Sequence, residues 1–179
     1  MAGINVPIGP AIVEFGTGAT MVTFDITKGG ITFAASTSTQ DVKVDQYGET
    51  TVKSVLKGRT ANATVPFALH DLKKLSAVMP NSTYVETGTA PNIKKKLSVS
   101  GSAGFDMLAA AKKLVIKPTD PSATANDWVT IPLAGAITDP EYTYNSDNER
   151  VAKITFVAYP DIAKNGELFI LGDETAVTT

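Results

Sequence analysis

The chain has 179 residues, a net charge of −2 from 16 basic and 18 acidic side chains, and no cysteine. A chain of this length suits one domain and buries roughly 70% of the surface it exposes when unfolded. Nothing in this near balance of charge points to a protein that grips nucleic acid by neutralising phosphates, which needs a clear basic excess on one face. The missing thiols exclude disulfides, zinc–thiolate sites and cysteine nucleophiles.

Residues 1–19 mix backbone breakers (Gly3, Pro7, Gly9, Pro10, Gly16, Gly18) with aliphatics (Ile4, Val6, Ile8, Ile12, Val13). This is the pattern of an N-terminal arm, resting either on its own domain or on a neighbouring subunit. The first residues lack the basic and apolar regions of a secretory signal, and no stretch is apolar enough to span a membrane. Synthesis and folding in the cytosol are expected.

After Gly29-Gly30 the pattern turns to β. Residues 31–34 and 41–46 read as strands, the second alternating with Val42 and Val44 on one face. Tyr47, Gly48 and Glu49 break the run. Residues 51–56 form the next expected strand, and Lys57-Gly58-Arg59 a second break. In residues 60–67, Ala61, Ala63, Val65 and Phe67 share one face and Thr60, Asn62 and Thr64 the other. Pro66 cannot donate to a ladder and belongs at a strand end or edge. Leu69, Leu72, Leu75 and Met79 recur at helical spacing, which predicts a helix over about 68–79, stopped by Pro80 and Asn81. So short a helix must pack on the sheet.

Residues 81–96 read as a loop with at most a weak strand, and residues 97–100 as a short strand. Residues 106–113 read as a short helix or turn, with an acid first and bases last. Strands follow at 114–117, 128–137, 141–145 and 150–159, with a turn at 146–149. In the last strand Ala152, Ile154, Phe156 and Ala158 share a face. Residues 168–171 close the sheet, and residues 173–179 form a loose tail. The expectation is one mainly β domain over 1–179, with an arm at 1–19 and a core at 20–172. Its fold is an antiparallel β-sandwich or barrel with one packed α-helix.

Signals for chemistry are weak. The single histidine, His70, lies beside the apolar helical stripe, and Asp71 next to it points elsewhere on a helix. Gly16-Thr17-Gly18 lacks the third glycine of a dinucleotide site and reads as a turn. Asp120 and Asp127 match no calcium-loop spacing. Lys94-Lys95-Lys96 has no interleaved aromatics and reads as a solvated strand edge. The pairs Asp139 with Glu141 and Asp147 with Glu149 flank turns, where nothing would raise a carboxyl pKa. No catalytic residue, cofactor or metal is expected, and the chain is not expected to be an enzyme.

Three segments together resemble the tail tube (major tail) proteins of long-tailed bacteriophages, closest to the siphophage type. They are Gly30-Ile31-Thr32-Phe33 with Asp41-Val42-Lys43-Val44-Asp45-Gln46-Tyr47-Gly48; Lys57-Gly58-Arg59-Thr60-Ala61-Asn62-Ala63-Thr64-Val65-Pro66 leading into the leucine stripe; and the C-terminal strands at 114–118, 131–136, 150–156 and 158–161. The closing Leu168-Phe169-Ile170-Leu171-Gly172-Asp173 also fits, so the resemblance spans roughly residues 25–173. It implies a tail-tube-like fold whose six-subunit rings stack into a hollow tube. Each subunit would add strands to an inner barrel through which DNA passes, without specific binding, during ejection. Partners would be further copies and other tail proteins such as the tape measure and the terminator, with no membrane. The protein would reside in the virion tail after assembly in the host cytoplasm.

On this reading Ile4, Val6, Pro7 and Ile8 of the arm, and Asp45, Gln46, Tyr47, Gly48 and Glu49 at the break, are candidates for ring and stack contacts. Asp41, Thr60, Asn62 and Thr64 are candidates for the lumen wall. Two alternatives stay open: a non-enzymatic virion binding or adhesion module on an immunoglobulin-like sandwich, and a related tail terminator or secretion-system tube protein.

Overall fold

The computed structural model describes residues 9–142, 144 and 150–177. In chain order these residues form β1 (Ala11–Phe15), β2 (Val22–Phe24), β3 (Thr32–Lys43), β4 (Thr51–Phe67), α1 (Leu72–Val78), β5 (Ser82–Thr87), β6 (Lys94–Val99), β7 (Lys112–Pro118), β8 (Val129–Pro140), β9 (Ala152–Tyr159) and β10 (Ile170–Leu171). The main sheet is antiparallel, in the order β2-β1-β7-β8-β9-β4-β3, with β10 alongside β8; β5 and β6 pair separately. The protein is mainly β with one helix, as the alternating patterns predict.

Alternation decides which face is buried. Ala61, Ala63, Val65 and Phe67 of β4 and Ala152, Ile154, Phe156 and Ala158 of β9 all point into one core. Fully burying a phenylalanine there contributes about 1.5–3 kcal/mol. The sheet curls around these side chains. Three strand spacings separate β1 from β9, about 14 Å if flat, yet the rings of Phe15 and Phe156 lie 5.0 Å apart. Five spacings, about 24 Å flat, separate β2 from β4, and Phe24 meets Phe67 edge-on at 5.0 Å. The two ends touch at one corner: Thr27 bridges Phe67, Lys28 N–H donates to Pro66 O at 3.1 Å, and Ala68 N–H donates to Ile26 O at 3.0 Å. Among the described residues no continuous ladder joins these ends, so the sheet curls without closing.

The helix is shorter than its leucine spacing predicts. The Asp71 side chain accepts from the N–H groups of Lys73 (2.9 Å) and Lys74 (3.2 Å), which fixes the first turn at Leu72. Leu75 and Val78 are buried and Leu69, ahead of the cap, is exposed. Lys74 Nζ ties the helix to β2 through Thr23 O at 2.8 Å and Asp25 Oδ1 at 3.2 Å, and that hydrogen bond holds the Asp25 carboxyl below its usual range.

Several sequence expectations change. Residues 11–15 belong to the sheet rather than to an arm: β1 lies between β2 and β7, and Val13 and Phe15 are fully buried. The strands expected at 31–34 and 41–46 are one strand, β3, whose Ser/Thr-rich middle carries no apolar alternation. The break expected at Lys57-Gly58-Arg59 is a β-bulge: Ser38 faces Gly58 and Thr39 faces Leu56, leaving Lys57 as the extra residue. The loop at 81–96 contains β5 and the start of β6. These strands bury little, and so carry no period-two apolar signal. Of the two forms expected for 106–113, residues 107–110 take the turn, while Lys112 already opens β7. β8 runs on to Pro140, and Glu141, Tyr142 and Tyr144 are not strand; residues 143 and 145, the turn at 146–149 and the pair Asp147 with Glu149 lie outside the described residues. Part of the expected tail is turned, with Thr175 N–H and Oγ1 donating to the Asp173 carboxylate.

Candidate assembly surface

β3 and β4 form a long hairpin, but β9 pairs only with residues 62–67 of β4. Above that point the hairpin is a two-stranded ribbon. Residues 34–43 of β3 and 51–60 of β4 are exposed without exception. The ribbon is about 30 Å long. Among the described residues, its two outer edges have no ladder partner: the far side of β3 and the side of β4 from Thr51 to Thr60. A lone two-stranded ribbon is marginally stable in water, and open edges invite pairing with another chain. Val42, Val52, Val55 and Leu56 are all exposed on it.

At the tip, residues 45–47 form a 3-10 turn, and Gly48 takes φ 58°, a conformation glycine adopts without strain. Lys43 and Glu49 pair across the turn. Asp45, Gln46, Tyr47 and Glu49 are exposed, with the Tyr47 side chain the most prominent apolar group there at 67%. The structure thus gathers the expected contact residues 45–49 at one projecting end. Ile4, Val6, Pro7 and Ile8 lie outside the described residues.

Thr60, Asn62 and Thr64 do share a face, directly opposite Ser36, Ala34 and Thr32. The patch continues across β9 and β8 through Thr155, Val157, Ile137 and Gly135. It carries no charge until Lys153 faces Asp139 at its lower border. Sequence reasoning found the β4 part of this patch and missed the rest, because pairing partners are not legible from local alternation. The Tyr159 ring lies over Gly135 so closely that a Cβ there would fall 2.5 Å from Cε2. Asp41 does not belong to this face. β3 has no extra residue between Ala34 and Val42, so Asp41 has the parity of Phe33 and Ala35 and points to the other side, where Ser54 Oγ donates to it at 2.6 Å.

The weaker chemical signals resolve into local structure. His70 is exposed ahead of the helix, edge-on to Tyr142 at 6.0 Å, and the Asp71 carboxylate caps the helix. Gly16 and Gly18 both have positive φ and flank a turn. Asp120 accepts from Ser122, which lowers its pKa, and Asp127 accepts from Thr124 N–H at 2.8 Å. Among the described residues no cluster of three or more histidine and acidic side chains is placed to hold a metal. Lys94, Lys95 and Lys96 lie on β6, with Lys95 Nζ 3.9 Å from Glu86.

No protein-family model matches the chain, and no curated protein matches it.

Proposed function

We propose that the chain is a structural subunit of a bacteriophage tail tube of the siphophage type, assembling into stacked six-membered rings around a conduit for DNA. One observation carries the reading: a curled sheet, self-sufficient in its core, throws out a ribbon about 30 Å long with both edges open. Edge pairing between neighbours arranged in a ring satisfies such borders, as closure does in a barrel. The uncharged patch around Thr60, Asn62 and Thr64 supports a lumen wall that lets a polyanion slide past, because it offers no cation to hold phosphate. The partners are further copies of the chain and other tail proteins such as the tape measure and terminator, and the site of action is the virion tail. The role is non-enzymatic.

Negative-stain electron microscopy of the purified protein at high concentration tests this. Rings or long hollow tubes are expected. A sharp monomer at every concentration and salt overturns the reading in favour of a monomeric binding module.

A further inference from the structure

From the two ends of the molecule we infer how one ring holds the next: the Tyr47 side chain of one copy seats in the cavity beside Phe15 and Phe105 of a second copy. The inference rests on the tube reading above and adds to it the receiving site.

The cavity has a volume of about 420 Å³, and its lining combines apolar groups such as Phe15, Met79 and Phe105 with polar ones such as Asn81 and Thr83 and with Lys112. It is the right kind of receptor for a phenol. Its lining mixes apolar and polar groups, which suits a ring that ends in a hydroxyl, and Phe105 and nearby Leu108 remain exposed in the single chain. Aromatic anchors filling such pockets are the usual energetic centres of protein contacts. Tyr47 is the matching plug, held at the end of the ribbon by a 3-10 turn and Gly48.

A copy cannot fill its own cavity. Ala136 pairs with Phe156, which pairs with Ala63, and from Ala63 to Thr51 along β4 is about 40 Å. The plug and the socket therefore lie far apart along the same ladder. A contact between them is head-to-tail, the kind that propagates into a filament where its rotation does not close a ring. Charge agrees with this pairing. Asp45 lies two residues before Tyr47, and Lys112, whose Nζ lies 5.8 Å from the Phe15 ring centre, stands at the socket.

The absence of native cysteine gives a clean test. A Gln46→Cys, Thr83→Cys double variant, which keeps Tyr47 and Phe105 and places one thiol beside the plug and one at the cavity, assembled and then oxidised, is expected to give a ladder of covalent oligomers, whereas either single variant stops at dimers. Both positions are exposed, so the fold is retained and circular dichroism checks it. In parallel, Tyr47→Ala is expected to weaken stacking about tenfold or more, leaving single rings in place of tubes. Asp45→Lys and Lys112→Glu should each shorten tubes, and the two together should restore their length. Tubes of normal length from Tyr47→Ala, or assembled double-cysteine protein without a ladder, overturn this inference and leave the tube reading intact. A native protein that forms neither rings nor tubes overturns both.

Discussion

The two halves of β4 differ in surroundings more than in composition. From Ala61 to Phe67 every second side chain is buried, β9 and β3 flank the strand, and Phe24 and Phe156 press on the same core. From Thr51 to Thr60 nothing is buried, and among the described residues β3 is the only strand neighbour. The lower half is stabilised within one chain. The upper half gains only a single ladder against the entropy of ordering it, about 1–2 kcal/mol per residue for the backbone. Under the assembly proposed above, the upper half of the strand would find its second neighbour in another copy.

That contrast can be broken most forcefully from below. Phe156→Ala removes the ring that touches both Phe15 and Phe24, and should cost about 3–5 kcal/mol by urea unfolding. A loss under 1 kcal/mol would mean the curl is not built on this cluster. Asp71→Ala removes the helix cap and should cost about 1 kcal/mol, with Asp71→Asn recovering most of it. The smallest effect is the sharpest. Val55→Ser with Leu56→Ser should shift monomer stability by no more than about 0.5 kcal/mol, yet abolish assembly in the microscope. Strong destabilisation of the isolated chain by that pair would mean the ribbon already has an intramolecular partner.

Much of the body was legible from residues alone. Period-two patterns in residues 60–67 and 150–159 predicted the faces that became core, because half-buried strands must alternate. The same logic failed wherever burial was absent. β5, β6 and the middle of β3 are exposed on both faces, so no selection for alternation marks them. The leucine stripe located the helix but not its start, since a cap acts through one carboxylate at Asp71 rather than through periodicity. In the candidate surface, residues 45–49 are recognisable as a turn, while Asp41, grouped with Thr60, Asn62 and Thr64 from the sequence, lies on the other side of the sheet from them. Its side follows from the parity of β3, and local alternation does not show that strand to be continuous.

By itself the sequence determined the β class, the buried sets on β4 and β9, the tip of the hairpin and the absence of any thiol chemistry, since each depends on neighbours within a few residues. Only the tertiary structure decided that β1 is core, that the pairing of β9 along β4 stops at Asn62, and that Phe105 and Lys112 meet at one cavity. Those facts depend on which distant strands share a ladder, and the free energy that chooses among pairings belongs to the packed core as a whole.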